Sequence, residues 1–379
     1  MPGHDLIVVG ASAGGVEAVS TLVAGLPADL PAAVCVVVHM RPYGESRLAE
    51  LMDRAGPLRA LVAEHGARVR PGTIYVAVPD RHLLVERDRD GAVLRLTSGP
   101  RENRNRPAVD PLFRSAALAF GPRVIGVVLS GALDDGTAGL WAVRDRGGIA
   151  VVQEPADALV SSMPRSAIDE VGADHVAPAR ALGALLGRLA RLEAKPSTPM
   201  PPGGGESPPP APSSAEGVPP SPTDESSLLE REVAMAAMNE TAHQRSDRYG
   251  VPSRFPCPDC GGVLWDVSGG GPLRFRCETG HAYSPGSLDE SQIDIIEQAL
   301  WAALRAIEDQ GALARLRAER AAERGLDAFA ERCTVQEEAA LQHAAALRVL
   351  LRLGGRSSLK GSELAPDAAA DTPPDDPKS

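Results

Sequence analysis

An apolar run at residues 6–9 leads directly into the glycine-rich hexapeptide GASAGG at residues 10–15. A short run of β-branched residues that ends in Gly-x-Ser-x-Gly is typical of a strand, a tight turn and the start of a helix. This turn would hold the Ser12 hydroxyl at the tip of the strand, near the positive end of the helix, where a developing negative charge is stabilised. Such a turn suits a nucleophile, but it can also bind phosphate or simply allow close packing.

Apolar runs alternate with helical patterns throughout residues 1–193. Runs rich in Val and Ile, without polar alternation, are typical of parallel strands that are buried on both faces. We therefore predict a three-layer α/β domain that folds alone: a doubly wound, mainly parallel sheet with helices on both sides and an added hairpin at residues 83–86 and 92–96. The predicted strands are residues 6–9, 34–38, 74–76, 124–129 and 149–152, and the predicted helices are residues 16–25, 46–55, 111–120, 137–146 and 165–171.

The second half of the chain divides into four predicted segments. Residues 194–227 are rich in proline, serine and glycine, which predicts a disordered linker. A short helix and a cysteine-containing module follow at residues 228–286, and a helical segment at residues 287–355 breaks near Gly325. Residues 356–379 are predicted to be a disordered tail. The helical segment forms either a self-contained hairpin or an exposed face that dimerises or docks on a partner's helical bundle.

Charge and hydropathy exclude several classes of function. The formal net charge of −11 lacks the basic footprint of a nucleic-acid-binding protein. No apolar run is long enough to span a bilayer, and the N-terminus has no secretory signal, so we expect a cytoplasmic protein without membrane insertion. Five cysteines in so long a chain do not indicate a disulfide framework.

Reactive side chains follow three of the predicted strands. Ser12 follows the first strand, His39 follows the second, and Asp134 and Asp135 follow the strand at residues 124–129. The carboxyl ends of parallel strands meet at one edge of the sheet, where such proteins place their sites. A nucleophile needs a base, and the base needs an orienting carboxylate. Each residue alone also has an ordinary interpretation, since His commonly ends a strand and Asp-Asp-Gly is commonly a turn.

Four motifs together resemble the catalytic domain of the CheB-type protein-glutamate methylesterases. They are IVVGASAGG at residues 7–15, VHM at 38–40, PAVDPLF at 107–113 and LSGALDDG at 129–136, and the likeness extends over about residues 4–190. The resemblance implies that Ser12 is the nucleophile, His39 the general base and Asp135, rather than Asp134, the orienting carboxylate. Backbone N–H groups at Ala13 and Ala132 would then stabilise the oxyanion.

The same resemblance implies a substrate and partners. The substrate would be a methylated glutamyl side chain of a chemoreceptor-like protein, with glutamine deamidation as a second reaction, and catalysis would need no cofactor. A cognate methyltransferase or a separate regulator would act with the enzyme. The chain begins at the first strand of the catalytic domain, without the receiver domain of the classical enzyme, so we do not expect control by phosphorylation in cis. The alternatives are a non-catalytic or retargeted signalling scaffold and a small-molecule esterase with a deep apolar pocket.

The motifs depart from the family pattern at two places. Ala13 stands where the family usually has Thr or Ser after the nucleophile. The family's Gly-Met-Gly-Asn-Asp-Gly becomes Gly-Ala-Leu-Asp-Asp-Gly at residues 131–136, which changes Ala132, Leu133 and Asp134. Both departures concern substrate fit and the geometry of the oxyanion site rather than the three reactive side chains.

Four residues beyond the linker have the spacing of a structural zinc site. Cys257 and Cys260 form a Cys-x2-Cys pair, and Cys277 and His281 form a Cys-x3-His pair. This set provides four ligands for a tetrahedral Zn²⁺. The pattern resembles C-terminal extensions of stand-alone methylesterase-like proteins. Because metal binding is coupled to folding in such a site, we expect chelation to unfold the module. We expect hydrolysis to stay largely intact, because a disordered linker separates the module from the N-terminal domain. The two remaining cysteines, Cys35 and Cys333, are interpreted as buried apolar residues.

Overall fold

The computed structural model describes residues 3–43, 46–89, 91–194, 225–238 and 250–353. The greater part of the predicted linker and all of the predicted tail lie outside these described residues. The short helix that the sequence predicts after the linker covers residues 228–244, and residues 239–244 also lie outside the described residues.

A seven-stranded sheet forms the centre of the N-terminal domain, and its strand order is β3-β4-β2-β1-β7-β8-β9. All neighbouring strands run parallel. This confirms the α/β fold and the five predicted strands, and it adds two edge strands, β3 and β9. The strands are β1 (Leu6–Ala11), β2 (Ala33–Val38), β3 (Arg59–Val62), β4 (Thr73–Val76), β7 (Val124–Val128), β8 (Ile149–Gln153) and β9 (His175–Ala177).

Helices cover both faces of this sheet, and every residue of the central strands β1, β2 and β7 is therefore buried. On β1, Ile7 and Val9 pack with one helical layer, and Leu6 and Val8 pack with the other. The first layer contains α1 (Gly15–Ala24), α2 (Leu48–Ala55) and α6 (Ala179–Leu189), and the second contains α3 (Val109–Phe120) and α4 (Thr137–Asp145). Alternate residues of one strand thus bury apolar side chains against opposite layers.

Two segments of this domain refine the sequence-based picture. The predicted hairpin is present as β5 (His82–Asp88) and β6 (Gly91–Thr97), and it packs on α3. The predicted helix at residues 165–171 begins earlier, as α5 (Ser162–Ser166), and it continues as a π-helical turn at Ala167–Val171.

The residues after the linker form a helix and a small sheet. The helix α7 (Glu225–Ala236) places Leu229 and Val233 in the core cluster that contains α3. The antiparallel strands β10 (Val251–Pro256), β11 (Val263–Asp266), β12 (Phe275–Cys277) and β13 (Ala282–Tyr283) follow; we call residues 250–284 the Cys/His module. The module and the α/β domain belong to one compact unit that ends at Leu288. This packing differs from the expected picture of a module joined only by a linker.

The second compact unit begins at Asp289, and its described residues form a helical hairpin. It contains most of α8 (Pro285–Glu323) and all of α9 (Asp327–Leu353). The first helix ends before Gly325 and the second begins after it, so the break lies where the sequence predicts it. The two helices run antiparallel, since Arg348 pairs with Glu308 while Arg317 stacks on Phe329. Within the described residues, none of the helices is both long and apolar enough to cross a membrane.

Candidate active site

The parallel register places Ser12 and His39 side by side at the carboxyl edge of the sheet. Ala11 and Val38 are the last paired residues of β1 and β2, and the next residue of each strand is Ser12 or His39. The His39 N–H donates to the Ala11 carbonyl at 3.0 Å, which continues the ladder by one bond. Neighbouring strands lie about 4.8 Å apart, so Ser12 and His39 are adjacent residues at this edge of the sheet.

Glycines make room for Ser12 beside the loop that follows β7. A Cβ atom at Gly131 would lie 2.8 Å from Ser12 Cβ and 2.0 Å from Met163 Sδ, both closer than real contacts allow. Gly14 has a φ of 72° and precedes α1, a conformation that favours glycine. The Ser12 N–H donates to the Ser130 carbonyl at 2.9 Å and fixes the turn against this loop.

His39 and Asp135 form a direct pair. His39 Nε2 lies 2.6 Å from Asp135 Oδ2, and the two side chains are 10% and 2% exposed. Because a carboxylate only accepts, Nε2 carries the proton and donates it, which leaves Nδ1 as the basic ring nitrogen. The structure therefore brings two of the three predicted residues together.

The N-terminus of α3 holds the other edge of the Asp135 carboxylate. The N–H of Val109 donates to Oδ2 at 2.7 Å and the N–H of Asp110 to Oδ1 at 3.2 Å, while Asn103 Nδ2 donates to Oδ1 at 2.8 Å. Burial raises the pKa of Asp135, but the bonds from His39, Val109 and Asn103 outweigh it and leave this pKa below its usual value. Asp135 is therefore ionised when it orients His39.

A second buried carboxyl, that of Asp110, fixes the loop that carries Asp135. Its Oδ1 accepts from the N–H groups of Gly136 and Gly139 at 3.1 and 2.6 Å, at the start of α4. Burial, together with the negative charge of Asp135, raises the pKa of Asp110 to about 7. Of these two neighbouring carboxyls, Asp135 is the one that is held ionised.

Ser12 and the two predicted oxyanion residues face outward. Ser12 is half-buried, and its hydroxyl makes no hydrogen bond within the part of the chain that the structure describes, so the structure does not join it to His39 directly. Such bonds are often long in a free enzyme and tighten around substrate. Ala13 and Ala132 are exposed, and among the described residues neither of their N–H groups donates to another group.

Asp134 points away from His39. Its carboxylate accepts from the Ser284 hydroxyl and, at 3.1 Å, from the N–H of Gly286 at the start of α8. Burial raises the pKa of Asp134 above its usual value, although both of these bonds oppose the rise. The choice of Asp135 over Asp134 thus agrees with the contacts of both residues.

Sequence reasoning missed Asn103, which lies between Asp135 and the Cys/His module. The residue is 4% exposed and has a φ of 48°, a conformation that Asn adopts more readily than most residues. Its only local signal is its place in the polar run RENRNR at residues 101–106. Its partners on the module lie about 180 residues further along the chain, so no local pattern reveals them.

The four predicted zinc ligands converge in the Cys/His module. Their ligand atoms all lie within 4.8 Å of one another. Cys260 Sγ is 3.7 Å from Cys277 Sγ, and His281 Nδ1 is 3.8 Å from Cys257 Sγ and 3.5 Å from Cys277 Sγ. A tetrahedron with Zn–S bonds of about 2.3 Å has edges of about 3.8 Å, so the spacing fits a zinc ion. The hydrogen bond between Cys257 and Cys277 lowers the pKa of Cys277 and raises the pKa of Cys257.

The N-terminal domain combines a parallel sheet, a buried His–Asp pair and an adjacent serine, which is the layout of an α/β serine hydrolase. The chain belongs to the CheB methylesterase family, whose model matches residues 7–186. A protein of Leptospira interrogans named putative protein-glutamate methylesterase/protein-glutamine glutaminase is 34% identical over 186 residues, which are 49% of this chain and 95% of that protein.

A Nocardioides protein named protein-glutamate methylesterase/protein-glutamine glutaminase is 44% identical over 190 residues, which are 50% of this chain and 52% of that protein. The chain thus spans about half the length of such relatives. The chain is also similar to the crystal structure of the Thermotoga maritima CheB methylesterase catalytic domain, at 33% identity and a TM-score of 0.48. The match covers 50% of this chain and 100% of the Thermotoga chain.

Proposed function

We propose that the protein is a serine hydrolase that removes methyl esters from glutamyl side chains of a chemoreceptor-like protein in the cytoplasm, and that it also deamidates glutamine. The observation that carries the proposal is the buried 2.6 Å pair of His39 and Asp135 beside an unbonded Ser12 hydroxyl. Membership of the CheB methylesterase family and the names of the relatives support the same reaction. A cognate methyltransferase or a separate regulator is the expected partner.

We assign a role to each group, and the contacts described above support this assignment. Ser12 Oγ attacks the ester carbonyl while His39 Nδ1 accepts its proton, and Asp135 stabilises the resulting imidazolium through Nε2. The N–H groups of Ala13 and Ala132 donate to the oxyanion. The intermediate collapses as His39 returns the proton to the leaving oxygen, and methanol departs. His39 then activates a water molecule that hydrolyses the acyl-enzyme; with glutamine, the leaving molecule is ammonia.

Methanol release from a methylated receptor fragment tests this assignment. Ser12→Ala removes the nucleophile, so we expect kcat to fall by about 10⁴-fold or more. Ser20→Ala is the matched control, because Ser20 is a half-buried residue of α1 whose hydroxyl, among the described residues, bonds only to the Val16 carbonyl. Methanol release by Ser12→Ala at the wild-type rate would overturn the proposal.

We also propose that Cys257, Cys260, Cys277 and His281 bind one structural Zn²⁺. Four protein ligands leave no open position for substrate, which separates this site from catalytic zinc. Metal analysis of protein purified without chelator should give about one zinc per chain, and Cys260→Ser should lower this value. Cys333→Ser is the control, since Cys333 lies in α9, outside the cluster. Zinc-free wild-type protein would contradict the assignment.

A further inference from the structure

We propose that Asn103 is a positioning residue through which the metal-bound Cys/His module orients the Asp135 carboxylate. The module would then be part of the hydrolase rather than an appendage. This inference rests on the proposed function, because it gives Asp135 the role of orienting His39.

The Asn103 side chain bonds to both parts of the protein at once. Its Nδ2 donates to Asp135 Oδ1 at 2.8 Å and to Asp110 Oδ2 at 2.9 Å. Its Oδ1 accepts from the Ser284 N–H at 2.8 Å and from the Ser287 hydroxyl at 3.2 Å. An amide side chain has two N–H donors and an oxygen with two lone pairs, and here all four are used.

The chemistry of these partners fixes the orientation of the amide. The ionised Asp135 carboxylate only accepts hydrogen bonds, so the NH₂ group must face it. The backbone N–H of Ser284 only donates, so the amide oxygen must face the module. In a flipped amide the oxygen would face the Asp135 carboxylate and the NH₂ group would face the Ser284 N–H, which leaves these groups without hydrogen bonds. Asn103 is only 4% exposed, so water does not replace those bonds.

The backbone continues this link to the metal cluster. The Asn103 N–H donates to the Ala282 carbonyl at 2.8 Å, and Ala282 directly follows the ligand His281. The His281 carbonyl accepts from the N–H of Cys277, another ligand, at 2.9 Å. The position of the residues that hold Asn103 therefore depends on the folded state of the cluster, which metal binding stabilises.

Buried charges beside Asn103 favour a single docked arrangement. Arg276, which lies between Phe275 and the ligand Cys277 on β12, donates to Glu102 Oε1 at 3.1 Å, and Glu102 also pairs with Arg114 of α3. We call the set Glu102, Arg114, Glu232, Arg274 and Arg276 the arginine–glutamate cluster; every member is at most 9% exposed. A shifted position of the module would break the pairs that Arg274 and Arg276 make with Glu232 and Glu102, and loss of a partner within a buried ion pair is strongly unfavourable.

Loss of the module therefore removes one of the donors that fix Asp135. If Ser284 and the adjoining Ser287 of α8 move with the module, the Asn103 amide loses its orientation, and the Asp135 carboxylate keeps only the Val109 and Asp110 N–H groups beside His39. Misplacement of a catalytic group slows the chemical step more than it weakens substrate binding.

Steady-state kinetics of the full chain with Asn103→Ala test the role of the amide. We expect kcat to fall by about 10- to 100-fold, with KM changed by less than about twofold. The ¹H NMR signal of the His39 imidazole N–H that donates to Asp135 should shift or broaden. Asn105→Ala is the control, because Asn105 lies in the same loop and donates to the Asn103 carbonyl but to no carboxylate. Unchanged kcat and an unchanged imidazole signal in Asn103→Ala would overturn the proposal.

A cycle of chelation and mutation tests the link to the metal. Chelation of the wild-type chain should lower kcat and alter the His39 signal as Asn103→Ala does, and chelation of the variant should add little, because both remove the same interaction. Wild-type kcat that persists after loss of the metal, or two effects that multiply, would overturn the link. The NMR arm separates the two proposals: a wild-type chain that releases no methanol contradicts the proposed function, while the His39 signal still reports whether Asn103 and the module position Asp135.

Discussion

The serine site and the Cys/His cluster are assembled in opposite ways. His39 and Asp135 are 96 residues apart and meet only because parallel strands end at one edge of the sheet. The four ligands of the cluster lie within 24 residues, on a short antiparallel sheet. The first site therefore depends on the whole α/β core, whereas the second depends on local sequence and a metal ion.

Buried charged side chains form a large part of the contact between these two regions. Glu102 and Arg114 belong to the α/β domain, Glu232 to α7, and Arg274 and Arg276 to the module. Buried ion pairs are costly to desolvate, and they are compensated only in a precise geometry. This explains how a module that follows a proline-rich segment reaches one fixed position beside Asp135.

The two adjacent aspartates give the largest expected effect in this comparison. Asp135 bonds to His39 in the serine site, whereas Asp134 bonds to Ser284 of the module and to Gly286. Asp135→Asn removes the acceptor that orients His39, and we expect kcat to fall by about 10⁴-fold. Asp134→Asn changes only contacts to Ser284 and Gly286, and loss of about 1 kcal/mol there corresponds to at most about fivefold in kcat. Methanol-release kinetics of both variants make the comparison, and equal losses would show that the two carboxylates share one role.

The sequence predicts the residues of the serine site and of the Cys/His cluster, but not the contacts of Asn103 that link the two. Ser12 and His39 were found because residues after buried strands must share the sheet edge, and the four ligands were found from their spacing alone. Asn103 has partners at Ser284 and Ser287, and such distant pairs leave no periodic signal. The edge strands β3 and β9 were missed because they are short and partly exposed, so they lack a long apolar run.

The arginine–glutamate cluster predicts the second-largest effect. Glu102→Gln removes the nearest buried counter-charge of Arg114 and Arg276, and we expect the free energy of unfolding to fall by about 3–5 kcal/mol. Glu50→Gln is the matched control: Glu50 pairs with Arg47 at 3.2 Å, but both side chains are more than half exposed, so no measurable change is expected. Denaturant unfolding of the metal-loaded chains provides the measurement, and similar values for both variants would refute the importance of the buried charges.

Acid should weaken the same contacts. Burial opposes ionisation of Glu102, but Arg114 and Arg276 overcome it and lower its pKa from 4.5 to about 2. Because the folded pKa is below the unfolded one, the stability that Glu102 adds is present above about pH 4.5 and is lost as the pH falls towards 2. Over this window wild type should lose about 2–3 kcal/mol more than Glu102→Gln.

Unfolding free energies at several pH values between 5 and 2 provide this measurement. The other carboxylates titrate in both chains, so the difference between the chains isolates Glu102. Parallel pH profiles would mean that Glu102 gains nothing from its two arginines.

The smallest effect concerns the loop that carries both aspartates. Leu133 has a φ of 64°, which is the left-handed region, at the position where the family pattern has glycine. Glycine adopts this conformation without a Cβ clash, so Leu133→Gly should be more stable than Leu133→Ala by about 1 kcal/mol. Both variants remove the leucine side chain, and their difference therefore isolates the backbone contribution from lost packing. Thermal unfolding of the two variants measures it. If the alanine variant were the more stable of the two, the left-handed conformation of this residue would be wrong, and with it the path of the loop that brings Asp135 to His39 and Asp134 to the start of α8.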